Sequence, residues 1–286
     1  MAPEDGESLY NMIWGAYRAG SQYGTLKIGK ADGDKLMEKV GAAEAKSKAA
    51  LRDERFWTFV IACAYAMDPQ GPAKLFKALT GEGPELQGNH MTIWVEALPL
   101  PPRKREGNTH LDLAVGGISQ RDETKSGIEW NGKANYVFCE FKCLSDISTK
   151  VTGSILRNQL ARVIENAIFF TGEEHEETKR PKYVALVTPS VFKESEINSR
   201  LYRYKFVEYA SEIYGWRSLK KDIEMSGLEL RDGYLLKDDM VKSVKLSWLT
   251  YRELIEGIPN RSIQERLVNL LSVFGDRLCP SWDDSQ

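Results

Sequence analysis

The stretch Tyr136 to Asp146, YVFCEFKCLSD, sets a carboxylate and an ammonium two residues apart inside an otherwise apolar run. Alternate side chains of a strand project to one face. Glu140 and Lys142 therefore point together, while Val137, Cys139 and Phe141 form the opposite, core-facing set. His110 to Val115 repeats the arrangement: Leu111, Leu113 and Val115 are expected on one face, with Asp112 the acidic residue on the other. Charges on partly buried strands are costly unless they are paired, hydrogen-bonded or bound to metal. Two carboxylates on adjacent strands suit Mg²⁺, which takes one or two such ligands and keeps other positions for water and a substrate phosphate; Mn²⁺ can use the same set. A cation held there would activate a water and offset charge developing on phosphorus. Lys142, beside two carboxylates, is expected to stay protonated and to orient that water or stabilise the pentavalent phosphate. The plainer alternative is a structural ion pair between Asp112 and Lys142, although a buried pair rarely adds net stability.

The elements that must position these residues are strand-like from His90 onward. Met91 to Leu98 and Thr109 to Ile118 read as strands separated by a polar, basic loop. Asn131-Gly132 is a strong hairpin signal, leading Ile128 to Trp130 into the strand that carries Glu140 and Lys142. Three sequential strands predict an antiparallel meander. Ser154 to Phe170 then places Leu156, Leu160, Val163, Ile164 and Ala167 on one helical face, and Lys182 to Val187 is a short apolar run suited to a buried strand. A helix between two such strands is the usual crossover that adds a parallel neighbour.

The order Asp112, then Glu140-Phe141-Lys142, then a helix from Ile155 to Phe169 resembles the PD-(D/E)XK superfamily of metal-dependent nucleases, over roughly a third of the chain (Met91 to Pro189). His110-Leu111 stands where many members carry a Pro before the Asp. The resemblance implies an α/β restriction endonuclease-like mixed sheet flanked by helices, Mg²⁺ held by Asp112, Glu140 and the carbonyl of Phe141, and Gln159 near the water or scissile phosphate. It also implies a further carboxylate, from Glu96 on the first strand or Glu54 on the preceding helix, with Glu96 favoured. The implied activity is hydrolysis of nucleic acid phosphodiesters, with DNA the expected polymer and an endonuclease of restriction, defence or repair type the expected role. A module that keeps this fold without cleaving is the alternative. Enzymes that cut both strands of a duplex commonly pair two protomers about a two-fold axis, which makes Arg261 to Phe274 a candidate homodimer interface.

A chain of 286 residues, 42% hydrophobic and 28% charged, is an ordinary globular composition. Residues 1–88 read as a helical N-terminal region packed on the core, and residues 89–286 as the nuclease-like domain with C-terminal helices. The longest apolar run, Val60 to Met67, is far short of the roughly 20 residues of a membrane span. With no basic leader after Met1, a cytoplasmic protein is expected. The four cysteines, Cys63, Cys139, Cys143 and Cys279, lack zinc-site spacing and read as free thiols. A net charge of -2 gives no global attraction for nucleic acid, so any attraction must be local. Arg103-Lys104-Arg105, with Arg162 on the crossover helix, are the expected nucleic-acid contacts, a solvated loop being the plainer fate of such a run. No P-loop, GxGxxG or Ser/His/Asp order is present.

Overall fold

In a computed structural model, the structure describes residues 7–85, 90–146, 158–172, 180–194 and 200–275. The chain opens with α1 (Leu9–Tyr23), β1 (Leu26–Ile28), α2 (Gly33–Glu44), α3 (Lys48–Leu51), α4 (Glu54–Ala66) and α5 (Gly71–Thr80). Strands β2 (Thr92–Pro99), β3 (Leu111–Gly116), β4 (Ile118–Gln120), β5 (Gly127–Trp130) and β6 (Tyr136–Phe141) follow, then α6 (Gln159–Phe169) and β7 (Lys182–Thr188). The remainder is α7 (Ser190–Glu194), α8 (Leu201–Tyr209), α9 (Gly215–Glu224), α10 (Asp238–Lys242), β8 (Val244–Thr250), α11 (Tyr251–Glu256) and α12 (Arg261–Gly275).

The strands form one eight-stranded mixed sheet ordered β4-β5-β2-β3-β6-β7-β8, with β1 paired to β2 off this path. β2, β3 and β6 run antiparallel, and β6, β7 and β8 run parallel. The parallel strands β6 and β7 are buried on both faces, as their near-continuous apolar sequences require. α6 makes the crossover between them. On one face α1, α2, α4, α5, α11 and α12 pack onto Ile93, Val95, Leu113, Val115, Val137, Cys139, Phe141 and Val187. On the other, α6, α9 and α10 cover Trp94, Ala97, Leu111, Ala114, Tyr136 and Phe138. α4 is buried without interruption from Phe56 to Ala66, the signature of a helix enclosed all round. Among the described residues no helix is long and apolar enough to cross a membrane.

Several expectations change. The N-terminal region is not purely helical, because Leu26, Lys27 and Ile28 pair in parallel with Ile93, Trp94 and Val95. Gly29 permits this approach, since a Cβ there would lie 2.2 Å from the carbonyl oxygen of Glu96. Asn131-Gly132 does turn the chain, with Gly132 at φ 75. The strands it joins are nonetheless not neighbours: β5 pairs with β4 and β2, and β6 with β3 and β7. Leu111 leaves the face of Leu113 and Val115 and packs with Trp94 and Ala97 on the α6 side. Its strand partner is Ala97, which follows a left-handed residue, Glu96 at φ 52. Trp94 and Ala97 thereby share a face, which alternation alone forbids. The apolar face of α12 is spent internally, with Ile263, Leu267, Leu270 and Leu271 buried, so these side chains are not those of a dimer interface. The first turn expected for the crossover helix, from Ser154, lies outside the described residues, as does Cys279.

Candidate active site

The pairing of Leu113 with Cys139 and of Ala114 with Phe138 continues to Asp112 opposite Glu140 on neighbouring antiparallel strands. Asp112 Oδ2 accepts the backbone N–H of Phe141 at 2.8 Å, which fixes the carboxylate against β6. Glu140 is 1% exposed. Its Oε1 accepts from Lys142 Nζ at 2.7 Å and from the Gln159 side-chain amide, while Oε2 is buried without a hydrogen-bond partner. Gln159 reaches it from the first residue of α6, directly behind Asn158, whose Oδ1 caps the helix on Ala161 N–H at 2.9 Å. Tyr209 and Asp222 in turn hold the Asn158 amide.

Glu54 opens α4 behind its cap Asp53. Its carboxylate lies 3.8 Å from Lys142 Nζ and accepts from Cys143 N–H at 2.9 Å and from the Ser145 hydroxyl. These residues line one open cleft of about 580 Å³ together with Arg52, Arg55 and His110. Asp146, at the end of the same stretch, caps α8 by accepting from Leu201 N–H at 2.7 Å and Tyr202 N–H at 3.2 Å.

The electrostatics are those of crowded carboxylates around one ammonium. Burial pushes Asp112 well above the ordinary carboxylate range; Glu140 and Glu54 add to the rise, and Lys142 and the Phe141 N–H oppose it. Burial likewise raises Glu140, against the charge and hydrogen bond of Lys142 and the Gln159 amide. For Lys142 burial acts downward, but Glu140, Glu54 and Asp112 together outweigh it and the ammonium is held more firmly than a free lysine. The ion pair foreseen for Asp112 is thus made chiefly with Glu140.

No match was found among known protein families, characterised proteins or solved structures. The functional reading therefore rests on the site itself. Among the described residues no group of three or more His, Cys, Asp and Glu side chains is arranged to hold a metal ion alone. Asp112 and Glu140 fit instead an ion that takes two carboxylates and completes its shell with water and substrate, and the orphaned Glu140 Oε2 is an oxygen such an ion would satisfy.

Other expected residues lie elsewhere. Glu96, at φ 52, gives its carboxylate to Arg55 at 2.9 Å and does not line the cleft; Glu54 occupies the position foreseen for it. Arg103 is buried, bonded to Glu165 at 2.7 Å and to the carbonyls of Leu228 and Ile223. Lys104 pairs with Glu229 and Asp232, and Arg162 with Glu106 and the Gly107 carbonyl. As nucleic-acid contacts these three are corrected: their charges bind the β2–β3 loop to α6 and to the segment after α9. Arg105 is exposed. Glu54 was the less favoured of the two candidates, and Arg52 and Arg55 were not foreseen. The Asp53 cap marks a helix start, but nothing local signals that the helix meets Lys142, 88 residues beyond Glu54.

The raised Asp112 pKa predicts a stability effect. Below the ordinary carboxylate pKa both folded and unfolded chains carry the proton, and nothing is lost. As pH rises past that value the unfolded chain ionises freely while the native site resists, so stability falls up to the raised native pKa. Asp112→Asn keeps an oxygen for Phe141 N–H and cannot ionise. In chelator it is expected to be more stable than wild type, with the gap widening as pH rises. Urea unfolding from about pH 4 to about pH 8 measures it. A gap that narrows with pH contradicts the assignment.

Proposed function

We propose that this chain is a Mg²⁺-dependent phosphodiesterase acting on nucleic acid, with a restriction endonuclease-like sheet of the PD-(D/E)XK kind and duplex DNA as its expected substrate. The observation that carries the reading is the Asp112–Glu140 pair on β3 and β6, with Lys142 bonded to one Glu140 oxygen and the other buried and unpartnered. The antiparallel β2-β3-β6 unit followed by the α6 crossover to a parallel β7 supports it.

Asp112 and Glu140, with the Phe141 carbonyl, would hold the ion, which when bound supplies an activated water and Lewis acidity toward phosphorus. The chain's own groups do the rest. Phe141 N–H keeps Asp112 aimed, and Gln159 fixes the Glu140 carboxylate from the α6 terminus. Lys142, kept charged by Glu140 and Glu54, presents an ammonium to the phosphoryl oxygens as charge builds on them. Glu54 steadies that ammonium from α4 and ties α4 to the residues just after β6. A binding module that does not cleave is the second reading, favoured by the Lys142–Glu140 pair, which by itself could be a structural contact inside the sheet. Any two-fold assembly would use a surface other than the buried face of α12.

Plasmid and oligonucleotide substrates in Mg²⁺, Mn²⁺, Ca²⁺ or chelator separate the two. The expected result is cleavage in Mg²⁺ and Mn²⁺, and binding with little turnover in Ca²⁺, which prefers more ligands in a looser geometry. Cleavage that persists in chelator removes the metal mechanism; binding without cleavage in every metal leaves the module.

A further inference from the structure

A polyanion approaching Asp112, Glu140 and Glu54 meets three carboxylates, so something else on this surface must attract it. Arg103, Lys104 and Arg162 are paired with Glu165, with Glu229 and Asp232, and with Glu106. A different set faces the cleft. α3 and α4 meet at a corner, Arg52-Asp53, held by Trp57 Nε1–H donating to the Leu51 carbonyl at 2.8 Å and by the Asp53 carboxylate capping α4 and pairing with Lys39. Glu54 fastens this corner to the chain just past β6 through Cys143 and Ser145. Arg52 and Arg55 project from it into the lining of the cleft. Arg52 is exposed and, among the described residues, has no carboxylate within ion-pair distance. Arg55 is 63% exposed on its side chain, with Nε anchored on Glu96 at 2.9 Å. Beyond it Lys30, also exposed and without a carboxylate partner among the described residues, is set beside the same strand by its N–H to the Glu96 carbonyl at 3.1 Å.

We propose that Lys30, Arg52 and Arg55, all from the N-terminal region, form the surface that grips the phosphodiester backbone of the substrate beside the Asp112–Glu140 cleft. The inference rests on the nuclease reading and adds that the N-terminal region supplies its substrate-binding wall, at Lys30 and the Arg52 to Arg55 corner. Glu96, whose left-handed backbone turns it out of the strand's regular alternation, acts here as the anchor that orients Arg55. A guanidinium so anchored loses less freedom when it binds a phosphate.

The test is fluorescence anisotropy in Ca²⁺ with duplex DNA, single-stranded DNA and RNA of equal length, at several salt concentrations, with Mg²⁺ cleavage measured in parallel. Each released phosphate contact lowers the slope of log affinity against log salt by about 0.9 on duplex. Arg52→Ala and Lys30→Ala are each expected to lower it by about one and the double variant by about two, with Arg52→Lys restoring the slope. Lys104→Ala, whose charge is taken by Glu229 and Asp232, should leave it unchanged. The polymer bound most tightly at a fixed salt concentration in Ca²⁺ and cleaved in Mg²⁺ identifies the substrate backbone. A wild type that binds and cleaves while Arg52→Ala and Lys30→Ala keep its slope overturns this surface alone. A wild type that neither binds nor cleaves any of the three overturns the nuclease reading and the surface with it.

Discussion

Asp112→Ala and Glu140→Ala are each expected to abolish the proposed Mg²⁺-dependent cleavage, a loss on the order of a thousandfold or more. The reason is ligand number. Asp112 and Glu140 are the two carboxylates placed opposite each other on β3 and β6, so losing either leaves an ion held by one side chain and water. Asp112→Ala also releases the Phe141 N–H, which then faces the cleft without its acceptor. Calorimetric titration with Mg²⁺ should show heat for wild type and none for either variant. Cleavage that survives Asp112→Ala would show that the reaction is centred elsewhere, and the binding-module reading would have to replace it.

Lys142→Ala is expected to fail differently. Both ligands remain, so Mg²⁺ still binds, and more tightly as a repelling cation is lost. The rate nevertheless falls by on the order of a hundredfold or more, because positive charge aimed at the transition state is gone. The same change removes the one ammonium bonded to Glu140, a carboxylate 1% exposed with its other oxygen unpartnered. Removing one partner of a buried pair costs about 3–5 kcal/mol. The variant should therefore unfold at lower urea in chelator and recover part of the loss in Mg²⁺, which replaces the missing positive charge. Titration, single-turnover rate and unfolding on one preparation read all three effects. A Lys142→Ala protein that cleaves at the wild-type rate assigns the lysine to structure alone.

What could be read in advance followed from local pattern. Glu140 and Lys142 stood out because their neighbours are apolar at alternate positions, and β6 does bury Val137, Cys139 and Phe141 on the face opposite them. The order of strand, crossover helix and strand was visible for the same reason. Leu111 was misplaced because alternation assumes uniform backbone, and no residue type at Glu96 announces φ 52. β1 was missed because three residues between helices carry no period of their own; their strand character comes from β2, over sixty residues onward. The internal pairing of Arg103 and Lys104 was not visible because their partners, Glu165, Glu229 and Asp232, are distant in the chain. Charge patterning in sequence counts residues, whereas what a phosphate meets is the charge left after internal pairing.

The stack of Trp57, Tyr251 and Phe141 has a temporal meaning. Tyr251 lies between the other two rings, 5.5 Å from Trp57 and 5.9 Å from Phe141, and Tyr65 donates to the Leu254 carbonyl across a separation of 189 residues. The helix that offers Glu54 and the strand that offers Glu140 are thus wedged together by a ring that follows both of them far along the chain. Closing so long a loop is entropically slow. Until α11 is in place, α4 and β6 lack the wedge between them, and Glu54 is not held against Lys142. The β3–β6 pairing and the Phe141 N–H hold Asp112 without it, so α11 governs how firmly the α4 wall of the cleft is seated and not the pairing of the strands.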